Sequence, residues 1–141
     1  MQLRTEIDIA APAHDVWSVL TDFAAYPEWN PFIVSIQGKP VVGERLRVVI
    51  SPPQQSERRS SPEVLRSDSG KELRWRDVLW FRWLFCGEHF FRLQESGPGH
   101  TRLVHGEDFS GWLLKFLPMT QMARGFVFMN QALKRRVESL T

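Results

Sequence analysis

The residues with the most chemical potential lie together in TRLVHGEDF, residues 101–109. His105 and Glu107 alternate there with apolar Leu103 and Phe109. In an extended strand alternate side chains share a face, so all four would point to one side. His89 occupies the same phase in CGEHFFRLQES, sharing a face with Phe91 and Leu93. An imidazole pair and a carboxyl would then sit among core hydrocarbons. Burial raises a carboxyl pKa, and imidazole already titrates near neutrality. His105 and Glu107 could therefore move protons in an aldol-type cyclisation or a dehydration, given a substrate oxygen within reach. The same groups could instead orient the polar end of a ligand, or simply meet backbone groups and water.

Other chemistries find less support. The spacing of these His and Glu residues is not diagnostic of a metal site, and Cys86 has no cysteine partner for zinc or a disulfide. The glycines do not form a phosphate loop with a Lys and a Ser or Thr. No metal and no cofactor are expected.

The elements that must position these groups are legible from periodicity. Residues 2–10 alternate Leu3, Thr5, Ile7 and Ile9 against Gln2, Arg4, Glu6 and Asp8, the pattern of a half-buried strand. Pro12 suits a helix's first turn, and Val16, Trp17, Val19 and Leu20 follow at helical spacing. Asp22 can cap a second short helix, limited by Pro27 and Pro31. From residue 32 to 110 the composition is that of strands, with SPPQQSERRSS as an exposed loop whose later part could pair in the sheet. ESGPGHT marks a hairpin. After Gly111 the period changes: Met122, Phe126, Met129, Leu133, Val137 and Leu140 define one face of a helix starting near Met119 or Thr120. The fold class is therefore α+β: a curved antiparallel sheet of about six or seven strands, wrapped around a long C-terminal helix, with two short helices after the first strand. A helix across so curved a sheet leaves a cavity.

Composition agrees with one soluble domain of 141 residues, 43% hydrophobic and 24% charged. The 10 Phe and 6 Trp suggest a cavity wall or an interaction surface. Net charge is +2, and neither Arg58-Arg59 nor Lys134-Arg135-Arg136 is interleaved with aromatics, so no nucleic acid is expected. The N-terminus has no apolar leader, and Arg82 interrupts the most apolar run, VLWFRWLF, so neither a signal peptide nor a membrane span is expected. The reading is a cytoplasmic protein. Trp80, Phe81, Trp83, Leu84 and Phe85 are too consecutive for one buried face. They should lie at a cavity entrance or an exposed patch, where a homodimer or protein partner could dock.

Three stretches carry a resemblance that spans essentially the whole chain. They are IDIAAPAHDVWSVLTDFAAYPEWNPF, GEHFFRLQESGPGHTRLVHGEDFSG and FVFMNQALKRRVE. The chain resembles the START-like, polyketide cyclase-like (SRPBCC) superfamily. The resemblance implies a single START-like domain over residues 1–141 with the helix-grip fold and an apolar cavity between sheet and long helix. It also implies binding of a lipid-, sterol- or polyketide-like small molecule, cyclisation or dehydration in some members, and chaperone activation or subunit roles in others. On this sequence the expected cavity wall is Trp75, Phe91, Leu103, Phe109, Met122, Phe126 and Met129. His89, His105 and Glu107 would hold the ligand's polar end, and His105 with Glu107 would carry any catalysis.

Overall fold

The computed structural model describes residues 1–140; Thr141, the last residue of the expected domain, lies outside them. Strand β1 (Gln2–Ile9) leads into α1 (Ala13–Thr21), a 3₁₀ turn (Phe23–Ala25) and α2 (Tyr26–Trp29). Strands β2 (Ile33–Gln37), β3 (Arg47–Ile50), β4 (Arg58–Ser60) and β5 (Glu63–Asp68) follow. Then come β6 (Glu72–Val78), β7 (Cys86–Gly97), β8 (His100–Ser110), a second 3₁₀ segment (Trp112–Phe116) and α3 (Met119–Ser139).

The α+β arrangement is the expected one, with eight strands divided between two ladders. One sheet runs β1-β8-β7-β6-β5 and the other β2-β3-β4, every pairing antiparallel. The extra strand comes from the end of the SPPQQSERRSS loop: Arg58–Ser60 pairs with Val48–Ile50. A bridge between Arg45 and Glu63 links the segments of the two ladders. Two local expectations need correction. Pro12 precedes α1 rather than filling its first turn; it is extended, and its carbonyl accepts the N–H groups of Asp15 and Val16. Asp22 makes no side-chain cap to the turn that follows it.

Register decides which side chains share the inner face. His89 lies opposite Trp75 on one side and Glu107 on the other, and Leu3 continues that row. One step along, Phe91 is opposite Leu73 and His105, and His105 is opposite Thr5. Period-two alternation sends Arg74, Arg76 and Arg92 to the outer face, away from Glu107. There Arg74 binds Glu72, Glu88 and Asp108. Phe90 also faces outward yet is fully buried. The guanidinium groups of Arg74 and Arg92 lie over its ring, at 4.9 and 4.5 Å, and its edge fills the space left by Gly106.

Helix α3 covers the inner face with Met122, Phe126, Met129, Leu133 and Val137, all buried. Its C-terminal half is tied down at the edge: Lys134 donates to the Asp8 carbonyl (3.0 Å), and the Ala10 N–H donates to Glu138 (2.8 Å). Gly125 lets the helix settle onto Phe32, whose ring occupies the place a Cβ would take. Gly125→Val should therefore overpack this contact and cost about 1–3 kcal/mol, since valine recovers little helix propensity over glycine. Urea denaturation checks this, and an unchanged midpoint would contradict it.

Candidate functional site

Four elements bring together a chain of polar groups inside an apolar interior. On β8 and β7, Glu107 Oε1 lies 3.0 Å from His89 Nδ1, and His89 Nε2 lies 2.7 Å from His105 Nε2. His105 Nδ1 is 2.7 Å from Oδ1 of Asn130 on α3. Asn130 Nδ2 donates to Thr5 Oγ1 on β1 (2.8 Å), and the Thr5 hydroxyl donates to the His105 carbonyl (2.8 Å). His105 is fully buried, and Asn130, His89 and Glu107 nearly so.

The direction of each bond as far as His89 follows from the one group that cannot reverse. A backbone carbonyl only accepts, so the Thr5 hydrogen points at it and the Thr5 oxygen must accept from an Asn130 N–H. That orients the amide with its carbonyl towards His105, so His105 Nδ1 carries the hydrogen. A neutral His105 then offers a lone pair at Nε2, which takes the hydrogen of His89 Nε2. A neutral His89 in turn offers its Nδ1 lone pair to Glu107. The only hydrogen able to satisfy it is that of a protonated carboxyl.

Electrostatics selects the same protonation states. Burial pulls His89 down to about 3. Burial, with neighbouring His89, holds His105 well below the usual imidazole range, outweighing the Asn130 bond that favours its charged form. Burial pushes Glu107 up to about 8, and nearby Asp108 adds to the rise. Near neutrality the trio is therefore a carboxylic acid and two neutral imidazoles. Charging both partners of the 3.0 Å pair would require desolvating an imidazolium and a carboxylate together.

Aromatic rings lock the imidazoles. His105 lies between Phe91 and Phe126, each centroid 4.4 Å away, with planes inclined by 26° and 19°. Trp75 stacks on His89 at 5.3 Å and 16°. Gly87 completes the cradle, because a Cβ there would strike Glu107 Oε2.

Glu107 and the Trp75–His89 stack border a cavity of about 490 Å³ between the two sheets and the start of α3. Its apolar wall includes Ile33, Val48, Ile50, Phe109, Leu117 and Met122. Of the residues expected to line it, Trp75, His89, Glu107, Phe109 and Met122 do so. Phe91, Leu103, His105, Phe126 and Met129 do not. All five are fully buried, and Phe91 and Phe126 clamp His105 instead of facing a ligand. Sharing a sheet face put Phe91, Leu103 and His105 in phase with the cavity, but α3 packs over them, and Phe126 and Met129 are the α3 side chains that fill the space. His105 thus reaches the cavity only through His89.

Asp77, Thr5, Asn130 and Arg58 escaped the sequence reading of the site. Asp77 borders the cavity, its pKa raised by burial and by Glu107. Asn130 and Thr5 left one signal each: a polar residue inside the apolar stripe of α3, and a hydroxyl at an inward position of β1. Arg58 and Ser60 enter the wall because β4 pairs with β3. Among the described residues no group of three His, Cys, Asp or Glu is arranged to hold a metal ion.

A family model described as polyketide cyclase/dehydrase and lipid transport matches residues 1–138. No curated protein matches by sequence. A START superfamily protein from Mycobacterium smegmatis is 24% identical, with a TM-score of 0.75 and coverage of 99% of both chains. The Zhui aromatase/cyclase from Streptomyces sp. R1128 is 17% identical, with a TM-score of 0.73 over 98% of this chain and 93% of that one. Norcoclaurine synthase from Thalictrum flavum, in complex with dopamine and hydroxybenzaldehyde, is 12% identical, with a TM-score of 0.75 over 100% of this chain and 88% of that one. At these identities the structural matches speak for the fold.

The protonation states make a signed prediction about stability. Glu107, raised from 4.5 to about 8, contributes stability that is complete below pH 4.5 and lost as pH rises through 8. His89, lowered from 6.5 to about 3, and His105, lowered likewise, contribute stability present above 6.5 and lost as pH falls. Their sum peaks near pH 6.5 and declines towards about 8. Glu107→Gln keeps a donor for His89 and cannot ionise. Its denaturation midpoint should lack that alkaline decline, and an equal decline in both proteins would contradict the assignment.

Proposed function

The chain belongs to the polyketide cyclase/dehydrase and lipid transport family, and from that premise we propose that it binds a small hydrophobic molecule in the cavity beside Glu107. One observation carries the reading. An apolar chamber of about 490 Å³ is of ligand size, and it borders a buried carboxyl that donates its hydrogen inward to His89. The second carboxyl oxygen is then left as an acceptor towards the cavity, which suits a ligand with one hydroxyl or enol. Asp77 and Ser60 offer further polar contacts on the wall. The ligand class is lipid-, sterol- or polyketide-like, the acting unit is the whole chain as one START-like domain, and the site of action is the cytoplasm.

A specific observation also favours a catalytic version of this reading. A carboxyl raised to about 8 is a usable acid near neutrality: turned from His89 to a substrate oxygen, it would give its proton there and regain one from the substrate as the product forms. Glu107 would be the group touching substrate, with His89 and His105 remaining neutral and holding its carboxyl in place. The fold also serves the Zhui aromatase/cyclase, which lends the idea support by analogy.

Native mass spectrometry followed by organic extraction tests the binding, with Nile red displacement as a second readout. A stoichiometric apolar mass is expected. Met122→Trp should fill part of the chamber and weaken Nile red binding by about tenfold or more, with the fold retained by circular dichroism. Unchanged dye affinity in a folded Met122→Trp protein would place the ligand elsewhere. The mass extracted from Glu107→Gln separates the two versions: a catalyst retains a precursor differing in composition from the wild-type product, whereas a binder holds the same compound.

A further inference from the structure

We propose that the aromatic lip of the cavity docks on an anionic lipid membrane surface. Two segments form this lip, the β6–β7 connection (residues 79–85) and the 3₁₀ segment Trp112–Phe116. They are joined backbone to backbone, since Trp112 N–H donates to the Trp83 carbonyl (3.0 Å) and Leu113 N–H to that of Leu84 (3.0 Å). Gly111, at φ +113°, permits this approach, because a Cβ would strike the Leu84 carbonyl. The two turns therefore behave as one platform.

What the platform shows to solvent is unusual for a surface. Trp80 is 81% exposed, Trp83 69%, Phe116 65%, Trp112 60% and Phe81 59%. Trp80 is held at φ +60°, a costly conformation for a bulky side chain, at the very point where its indole is turned outward. Indoles prefer the membrane–water boundary, where an apolar ring meets polar headgroups.

Charge selects the occupant. Residues 78–87 contain Arg82 and no acidic residue; residues 109–124 contain Lys115 and Arg124 and no acidic residue. The Lys115 ammonium rests over the rings of Trp112 and Phe116 (4.4 and 5.3 Å), so cation and aromatics form one surface. Of the flanking acids, Glu88 and Asp108 are held by Arg74 on the outer face of the sheet, and Asp77 is turned into the cavity wall, where burial and Glu107 raise its pKa. Exposed aromatics interspersed with cations match an interface of acyl chains beneath anionic headgroups. A second copy of the lip matches poorly, because pairing would set Arg82, Lys115 and Arg124 against their own kind with no acid to neutralise them.

The lip is also the cavity's mouth. Leu79 and Phe85 from one segment, Leu113 and Phe116 from the other, and Leu117 just beyond it line the chamber. Docking would open the cavity onto hydrocarbon, so that an apolar molecule passes between membrane and protein without crossing water. No described helix is long and apolar enough to span a membrane, so the contact is peripheral. It does not depend on which molecule the cavity holds.

Flotation with phosphatidylcholine vesicles, with and without phosphatidylglycerol, tests the proposal on the intact protein. The protein should float with the anionic vesicles and weakly or not at all with the neutral ones, and added salt should reduce binding. Trp80→Ser/Trp83→Ser should lower partitioning by about tenfold or more, and Arg82→Glu/Lys115→Glu should remove the preference for phosphatidylglycerol. Nile red binding should persist in both variants, since none of these four residues touches the chamber, which separates a lost membrane contact from a lost fold or cavity. Absence of flotation with anionic vesicles overturns the proposal. So does equal flotation of wild type and the tryptophan variant, or a concentration-dependent dimer that the tryptophan variant abolishes.

Discussion

The hydrogen bond from the Thr5 hydroxyl to the His105 carbonyl fixes the polarity of everything that follows it. A carbonyl cannot donate, so the amide of Asn130, the tautomer of His105 and the hydrogen on His89 Nε2 are determined in turn; burial, which disfavours a charged His89 and an ionised Glu107, then leaves the last proton on the carboxyl. Without that anchor the two imidazoles could point their hydrogens either way. With it, and with burial opposing a carboxylate beside an imidazolium, the interior holds hydrogen-bonded neutral groups instead of charges. An unpaired buried polar group costs about 1–3 kcal/mol, and desolvating an ion pair costs more than a neutral hydrogen bond requires. The architecture supports this choice: β1 supplies Thr5, α3 supplies Asn130, and the register of β7 with β8 aligns His89 with Glu107.

The same arrangement divides the site into a closed half and an open half. His105, clamped by Phe91 and Phe126, belongs to the closed half and is out of any ligand's reach. Glu107, Asp77 and the Trp75–His89 stack belong to the open half and meet the cavity. Contact with a ligand is thus left to the carboxyl, and the histidines set what the carboxyl does. A bound hydroxyl would find an acceptor oxygen on Glu107, whose hydrogen is already directed inward. Burial in these surroundings keeps that acid protonated.

Much of this was legible in the sequence because strands and helices impose simple periods. Alternation placed Leu103, His105, Glu107 and Phe109 on one face, and the four-three spacing of Met122, Phe126 and Met129 marked the helix that covers them. Register was not legible, since it depends on how separate strands slide against each other. Register set His89, and not an arginine, beside Glu107, and it placed Arg74 on the opposite face. Depth was not legible either: Phe126 and Met129 lie on the expected face of α3, but on the part of the helix that packs into the sheet and not over the cavity. Asn130 and Thr5 are ordinary residues whose importance comes only from touching across 125 positions of chain. The Trp80–Phe85 run was readable as a surface or an entrance, and in the structure it is both.

The most direct test of the account is an NMR titration of the free protein, with Glu carboxyl carbons labelled with carbon-13 and His rings with nitrogen-15. The account predicts that at neutral pH Glu107 resonates as a carboxylic acid and titrates near 8. His89 should be neutral with its hydrogen on Nε2, and His105 neutral with its hydrogen on Nδ1. A Glu107 carboxylate beside a doubly protonated His89 at neutral pH would contradict it.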